Sequence, residues 1–153
     1  MRLLLLALLV AASTGLYAAD PKTPVIWTAK QLADTAAKAK SNVDPTLHRG
    51  VERLLDSATL IYRDGPSEAE AHTDRADFIT VREGRGTILI GGTIVGGRAT
   101  TPGEIRGTSI ENGQKYTVAA GDSLYIPVNM PHQFLVTSGE HFVVMIVKVV
   151  PRE

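Results

Sequence analysis

Gly121-Asp122-Ser123-Leu124-Tyr125-Ile126-Pro127, with His132 five residues further on, is the stretch that decides the fold. Gly121 turns the chain, Pro127 ends a strand, and Pro131 stiffens the approach of His132. Upstream stands Glu70-Ala71-His72, with Asp77 and Gly84 behind it. On a strand, Glu70 and His72 share one face, about 6.5–7 Å apart along the chain. Asp77 reaches that face if Thr73-Asp74-Arg75 forms a turn. Ligands drawn from separate strands let a rigid sheet fix a metal's geometry. Two imidazoles and two carboxylates (Glu70, His72, Asp77 and His132) suit a divalent ion such as Mn, Fe, Ni or Zn. They leave open positions for water or substrate.

The pattern around these segments is that of strands. Segments 57–63, 77–83, 87–90, 115–119, 123–126, 133–136 and 141–149 are short and rich in Val, Ile, Thr, Tyr and Phe. Turns are expected at Asp64-Gly65-Pro66, Glu83-Gly84-Arg85-Gly86, Gly91-Gly92, Gly96-Gly97, Pro102-Gly103, Asn112-Gly113 and Ser138-Gly139. Many short strands with frequent glycine turns predict an all-β sandwich or barrel. The last segment is apolar on both faces, so it is expected to be central or covered on its outer side. Tyr62, Tyr125 and Phe134 are read as barrel core.

Residues 20–56 read as an N-terminal arm. Thr28-Ala29-Lys30-Gln31 is a capping-box pattern, and Ala29, Leu32, Ala33 and Ala36 follow on one face. A helix near 29–40 is predicted, too short to persist alone and so packed on the main body or a second subunit. Asp44-Pro45 could open another short helix, which Gly50 interrupts. Before the arm, Met1-Arg2, an apolar run over 3–12 and the small residues after it read as a secretory signal over 1–19. A run of about ten residues is well short of the roughly 20 needed to span a bilayer. The mature protein is expected to be periplasmic or secreted, with no membrane association after cleavage. Residues 57–153 complete a single domain of the 153-residue chain.

The chain has no cysteine, which excludes an acylated lipoprotein anchor, disulfides, thiolate metal sites and cysteine nucleophiles. Sixteen basic residues balance sixteen acidic ones and no run of five like charges occurs, so a nucleic-acid partner has no support. No Gly-x-Ser-x-Gly elbow or Gly-Lys-Thr phosphate loop is present. His48 and His141 lack a partner pattern, and Trp27 is expected to anchor the arm. Arg98, Glu104 and Arg106 lie in the glycine-rich middle as surface groups by default, although that loop could border the pocket and hold an anionic substrate.

The two segments resemble the motifs of the cupin superfamily, Gly-x5-His-x-His-x3,4-Glu-x6-Gly and Gly-x5-Pro-x-Gly-x2-His-x3-Asn. Here the first runs Gly65-x4-Glu70-x-His72-x4-Asp77-x6-Gly84 and the second Gly121-x5-Pro127-x-Asn129-x2-His132, with Val136 at the final place. Glu70 stands where the first histidine usually stands, Asp77 where the glutamate does, and Asn129 replaces a glycine. The resemblance covers 57–149 and implies a cupin double-stranded β-helix, a jelly-roll barrel, with a short N-terminal helix. It implies a divalent metal on Glu70, His72, Asp77 and His132, a small-molecule ligand or substrate, and a homodimer. Dioxygenase, isomerase, lyase or decarboxylase chemistry is open, with no residue assigned as catalytic. So is a metabolite-binding role without turnover. Two narrower alternatives also stand: Asp77 behind a three-ligand site, or a cupin without metal whose histidines are hydrogen-bonded in a polar pocket.

Overall fold

The computed structural model describes residues 21–151, so the expected export signal lies outside the described residues. Thr28 caps α1 (Ala29–Ser41) in the predicted way. Its hydroxyl accepts from the Gln31 N–H at 3.2 Å, and the Gln31 side chain accepts from the Thr28 N–H at 2.9 Å. The inward stripe is half-buried Leu32 with buried Ala36 and Ala39, rotated from the expected face, since Ala29 and Ala33 are exposed. Small residues let the helix approach closely. A Cβ on Gly50 would collide with the Ala39 carbonyl. Asp44 opens no second helix. Its carboxylate accepts from the N–H groups of Thr46 and Leu47 at 2.8 and 3.2 Å, closing a turn into β1 (Arg49–Arg53) within the expected arm.

The other strands are β2 (Ala58–Arg63), β3 (Ala69–His72), β4 (Ala76–Ile90), β5 (Thr93–Val95), β6 (Arg98–Thr101), β7 (Glu104–Gly107), β8 (Ser109–Glu111), β9 (Gln114–Ala119), β10 (Ser123–Ile126), β11 (His132–Leu135) and β12 (Phe142–Val149). The main sheet runs β1-β2-β12-β4-β11-β3-β7-β6, with β9 and β10 also on β4, and curls into a half-barrel. β5 and β8 form a separate ribbon. Strands β5 to β8 occupy the glycine-rich middle, where the sequence showed only turns.

β4 is continuous where a turn was expected at 83–86. Its first part pairs with β10 and β12, its second with β9 and β11, so one strand serves both walls. Gly84 is the corner. Its φ is +69°, and the register against β12 shifts beside it, as in a β-bulge. A Cβ there would meet the His141 carbonyl oxygen.

Alternation on the strands divides the apolar residues. Ile61, Ile79, Val81, Ile88, Ile126, Phe134, Phe142, Val144 and Ile146 fill the interior. Leu60, Tyr62 and Val143 point outward beneath Ala36 and Ala39 of α1. β12 is therefore central, between β2 and β4, and covered on its outer face, which explains its two apolar sides. Tyr125 departs from expectation. It is 52% exposed, because β10 turns Leu124 and Ile126 inward and Tyr125 outward. Among the described residues no helix is long and apolar enough to cross a membrane.

Gly84→Ala adds backbone strain and a clash with His141, and is expected to lower stability by about 3 kcal/mol in urea denaturation. An unchanged midpoint would show that β4 does not need its corner.

Candidate metal centre

Strand register delivers the site. Glu70 and His72 lie two apart on β3, which is buried throughout. Glu70 is paired with His132 of β11 on one side and Arg106 of β7 on the other. Residues 73–75 make the expected turn, with the Thr73 N–H on the Gly103 carbonyl at 3.0 Å, and bring Asp77 in on β4. Asp77 is paired with Ile126 of β10 and Lys148 of β12. The Pro127–Pro131 connection docks on the first motif through the Asn129 N–H, 2.7 Å from the His72 carbonyl. Asn129 has a φ of +60°, a conformation asparagine tolerates, so it serves where the motif usually has glycine.

All four predicted side chains are buried and converge. Glu70, His72 and His132 each offer one ligand atom, and these atoms lie within 4.8 Å of one another. Nε2 of His132 is 3.4 Å from Glu70 Oε1 and 3.5 Å from Asp77 Oδ2. Asp77 Oδ2 is 3.2 Å from His72 Nε2. Asp77 thus touches both rings, but it is also engaged elsewhere. Lys148 Nζ lies 2.6 Å from its Oδ1 and 2.7 Å from His72 Nε2.

The far side of each ring is braced. His132 Nδ1 donates to the Met130 carbonyl at 3.0 Å, which directs Nε2 into the shared space. His72 Nδ1 lies 2.9 Å from Glu104 Oε1, a charge contact not aligned as a hydrogen bond. The Lys148 ammonium can only donate, so its contact needs the His72 Nε2 lone pair, the tautomer that Glu104 favours. Glu70 is held from behind by Arg106, 2.8 Å from its Oε2.

The donor set fits a divalent ion. His132 Nε2 and Asp77 Oδ2 are buried without an aligned hydrogen bond, so an ion that displaces the His132 proton finds both lone pairs, while Asp77 Oδ1 is held by Lys148. The Glu70, His72 and His132 group could hold the ion, with Asp77 beside both imidazoles.

Burial disfavours charge on every member, yet the pairing outweighs it. Glu70 is held well below the usual carboxylate range by His132, Arg106 and Arg63. Asp77 is held below it by His132, His72 and Lys148. Burial resists the His132 imidazolium, but Asp77 and Glu70 raise its pKa to about 9. His72 is raised by Asp77 and Glu104 against burial and the Lys148 charge. Protons and a metal cation therefore compete for the same lone pairs.

Lys148, and Glu104 and Arg106 in their bracing roles, were not foreseen. Lys148 had a legible signal: it is the lone charge on β12, in step with inward Phe142, Val144 and Ile146. Glu104 and Arg106 lay in a segment read as loop. His48 sits at the surface beside Asp64 at 3.2 Å, and His141 stacks on Tyr62 at 5.8 Å.

The cupin-domain family profile matches residues 103–148. A solved "Putative sugar phosphate isomerase" from Acidithiobacillus ferrooxidans superposes with a TM-score of 0.54 at 18% identity, covering 82% of this chain and 75% of that one. The polyketide cyclase RemF from Streptomyces resistomycificus gives 0.48 at 17% identity, covering 69% and 67%. A "predicted oxalate decarboxylase" from Thermotoga maritima gives 0.43 at 12%, covering 61% and 65%. No curated protein matches the chain. The chain has the cupin fold, and its C-terminal part carries the cupin-domain profile match. At these identities the likeness carries the fold and not a reaction.

The charge cluster sets a pH dependence for the metal-free protein. Below pH 6.5 the His132 proton is present folded or unfolded, and its contacts contribute fully. From 6.5 to about 9 only the folded state retains it, so stability should fall by about 3 kcal/mol over that window. Glu70 and Asp77 act oppositely, contributing above their ordinary pKa of 4.5 and 3.8 and losing that contribution as pH falls. Urea denaturation with chelator present measures the profile. His132→Asn should remove most of the fall on its alkaline side, leaving the part that His72 carries, and a flat wild-type profile there would show that His132 is not held protonated.

Proposed function

We propose that this cupin holds a divalent metal ion on Glu70, His72 and His132 and acts on, or holds, a small organic molecule at that centre. The observation that supports it most is the mutual approach of three buried donors within 4.8 Å, with the His132 ring braced from outside so that Nε2 faces in. When bound, such an ion would polarise an oxygen of the ligand. Asp77, in contact with both imidazoles and Lys148, is the carboxylate placed to hold or accept a proton beside that ligand. Oxygenase, isomerase and lyase chemistry all remain within this reading, and the metal is Mn, Fe, Ni or Zn.

One observation favours a second reading, a metabolite-binding cupin without metal. The Lys148 ammonium already bridges His72 and Asp77, supplying a positive charge where a cation would be welcome. Thermal unfolding with each ion separates the two. A thousandfold excess over Kd should stabilise the folded state by about 4 kcal/mol, reversed by chelator. His72→Ala and His132→Ala should abolish the response, and Asp77→Asn should weaken it less. Lys148→Met should tighten binding about tenfold by removing the competing charge. If wild type and Lys148→Met both ignore every ion, the metal reading fails and the second stands.

Export and self-association belong to the same proposal. The signal over 1–19 supports a periplasmic or secreted protein. The Phe78–Tyr125 cross-strand pair, exposed on the outer face of β4 and β10, supports a homodimer. Intact mass of the protein from its native host should begin near Ala19 or Asp20. Retention of residues 1–16 in a membrane fraction would overturn export.

A further inference from the structure

Beside Arg106, which contacts Glu70 on the oxygen not facing His132, lies a cavity of about 370 Å³, at the small end of the range for ligand sites. Three arginines line it: Arg49 from β1, Arg63 from β2 and Arg106 from β7. Among the described residues, only Arg106 of the three is ion-paired, with Glu70 at 2.8 Å and Glu104 at 3.4 Å. Glu68, the carboxylate lining the cavity, faces Arg98 at 3.9 Å. Among the described residues no carboxylate lies within ion-pair distance of Arg49 or Arg63.

Arg63 makes this cavity unusual. It is only 2% exposed, on the inward parity of β2, with its guanidinium carbon 4.8 Å over the Phe134 ring. Its Nε is buried without a hydrogen-bond partner. Arg49 stands directly across from it in the β1–β2 register, a like-charge pairing that weakens a sheet. Burial, Arg49 and Arg106 all work against its charge and lower its pKa to about 10, with Glu70 in partial opposition. Glu70 cannot complete the balance, because its two oxygens face His132 and Arg106. A buried cation without a partner is destabilising unless something neutralises it.

We propose that the Arg49–Arg63–Arg106 cavity binds a small oxyanion, a carboxylate or phosphate group. Planar guanidinium forks match both chemistries. The anion brings the negative charge that the surrounding carboxylates do not supply. The site adjoins the metal centre through the Arg106–Glu70 contact, and the anion needs no ion there.

Calorimetry with chelator, at fixed ionic strength, tests this with inorganic phosphate and with malonate as probes. Saturable one-site binding of either supports the site, and the tighter probe shows whether it favours a tetrahedral or a planar anion. Arg49→Gln, at a half-buried strand position, should weaken binding at least tenfold while the protein remains folded. Arg63→Met should do the same; if it does not fold, Arg49→Gln alone decides. Binding of neither probe at millimolar concentration, or equal binding by wild type and Arg49→Gln, overturns the proposal. So does a response that chloride reproduces at the same ionic strength.

Discussion

The Asp77 carboxylate, 1% exposed and set among His72, His132 and Lys148, is the constraint on which the rest depends. A buried charge is tolerable only with partners in good geometry, and removing one partner from such a group costs about 3–5 kcal/mol. Those partners come from β3, β11 and β12, so the strands must meet Asp77 in one register. A slip of one residue would turn each of these side chains to the opposite face. The charge cluster therefore specifies the register as much as the register builds the cluster.

The fold holds that register from both sides. Inside, the apolar cluster from Ile61 to Ile146 fills the barrel next to the polar group, and the His132 ring meets the edge of Phe134 at 6.2 Å. Outside, α1 lies on Leu60, Tyr62 and Val143, fixing the strand that carries Lys148. β4 supplies Asp77 at one end and reaches β11 at the other, and the Gly84 corner lets one strand do both. Each predicted ligand thus sits on or beside a strand held by packing, which keeps a site's geometry narrow.

Glu70 joins two regions of opposite character. One oxygen faces His132 in an acid-rich centre suited to a cation, the other Arg106 beside an arginine-rich cavity suited to an anion. A ligand proposed for either region would act on a carboxylate that contacts both. The substitution of glutamate for the first histidine of the usual cupin motif makes this link, since an imidazole could not accept from Arg106 and present an anionic oxygen to His132 together.

Much was readable from local pattern. The capping box placed α1, the two-residue alternation placed most strands, and motif spacing singled out Glu70, His72, Asp77 and His132 as residues that the fold brings together. These are properties of neighbouring residues, which a sequence carries directly. It could not tell a turn from a bulge at Gly84, because a glycine with positive φ serves in both and only the pairing of β4 with β12 decides. Nor could it choose the partners of the charges. Lys148 meets His72 across 76 residues of chain, and Arg49 faces Arg63 because β1 pairs with β2 in one register. The sequence by itself determined which segments become strands and which residues could hold a cation. Tertiary structure decided which charges neutralise one another and which stay unpaired, because that follows from strand register, set by packing among residues far apart in the chain.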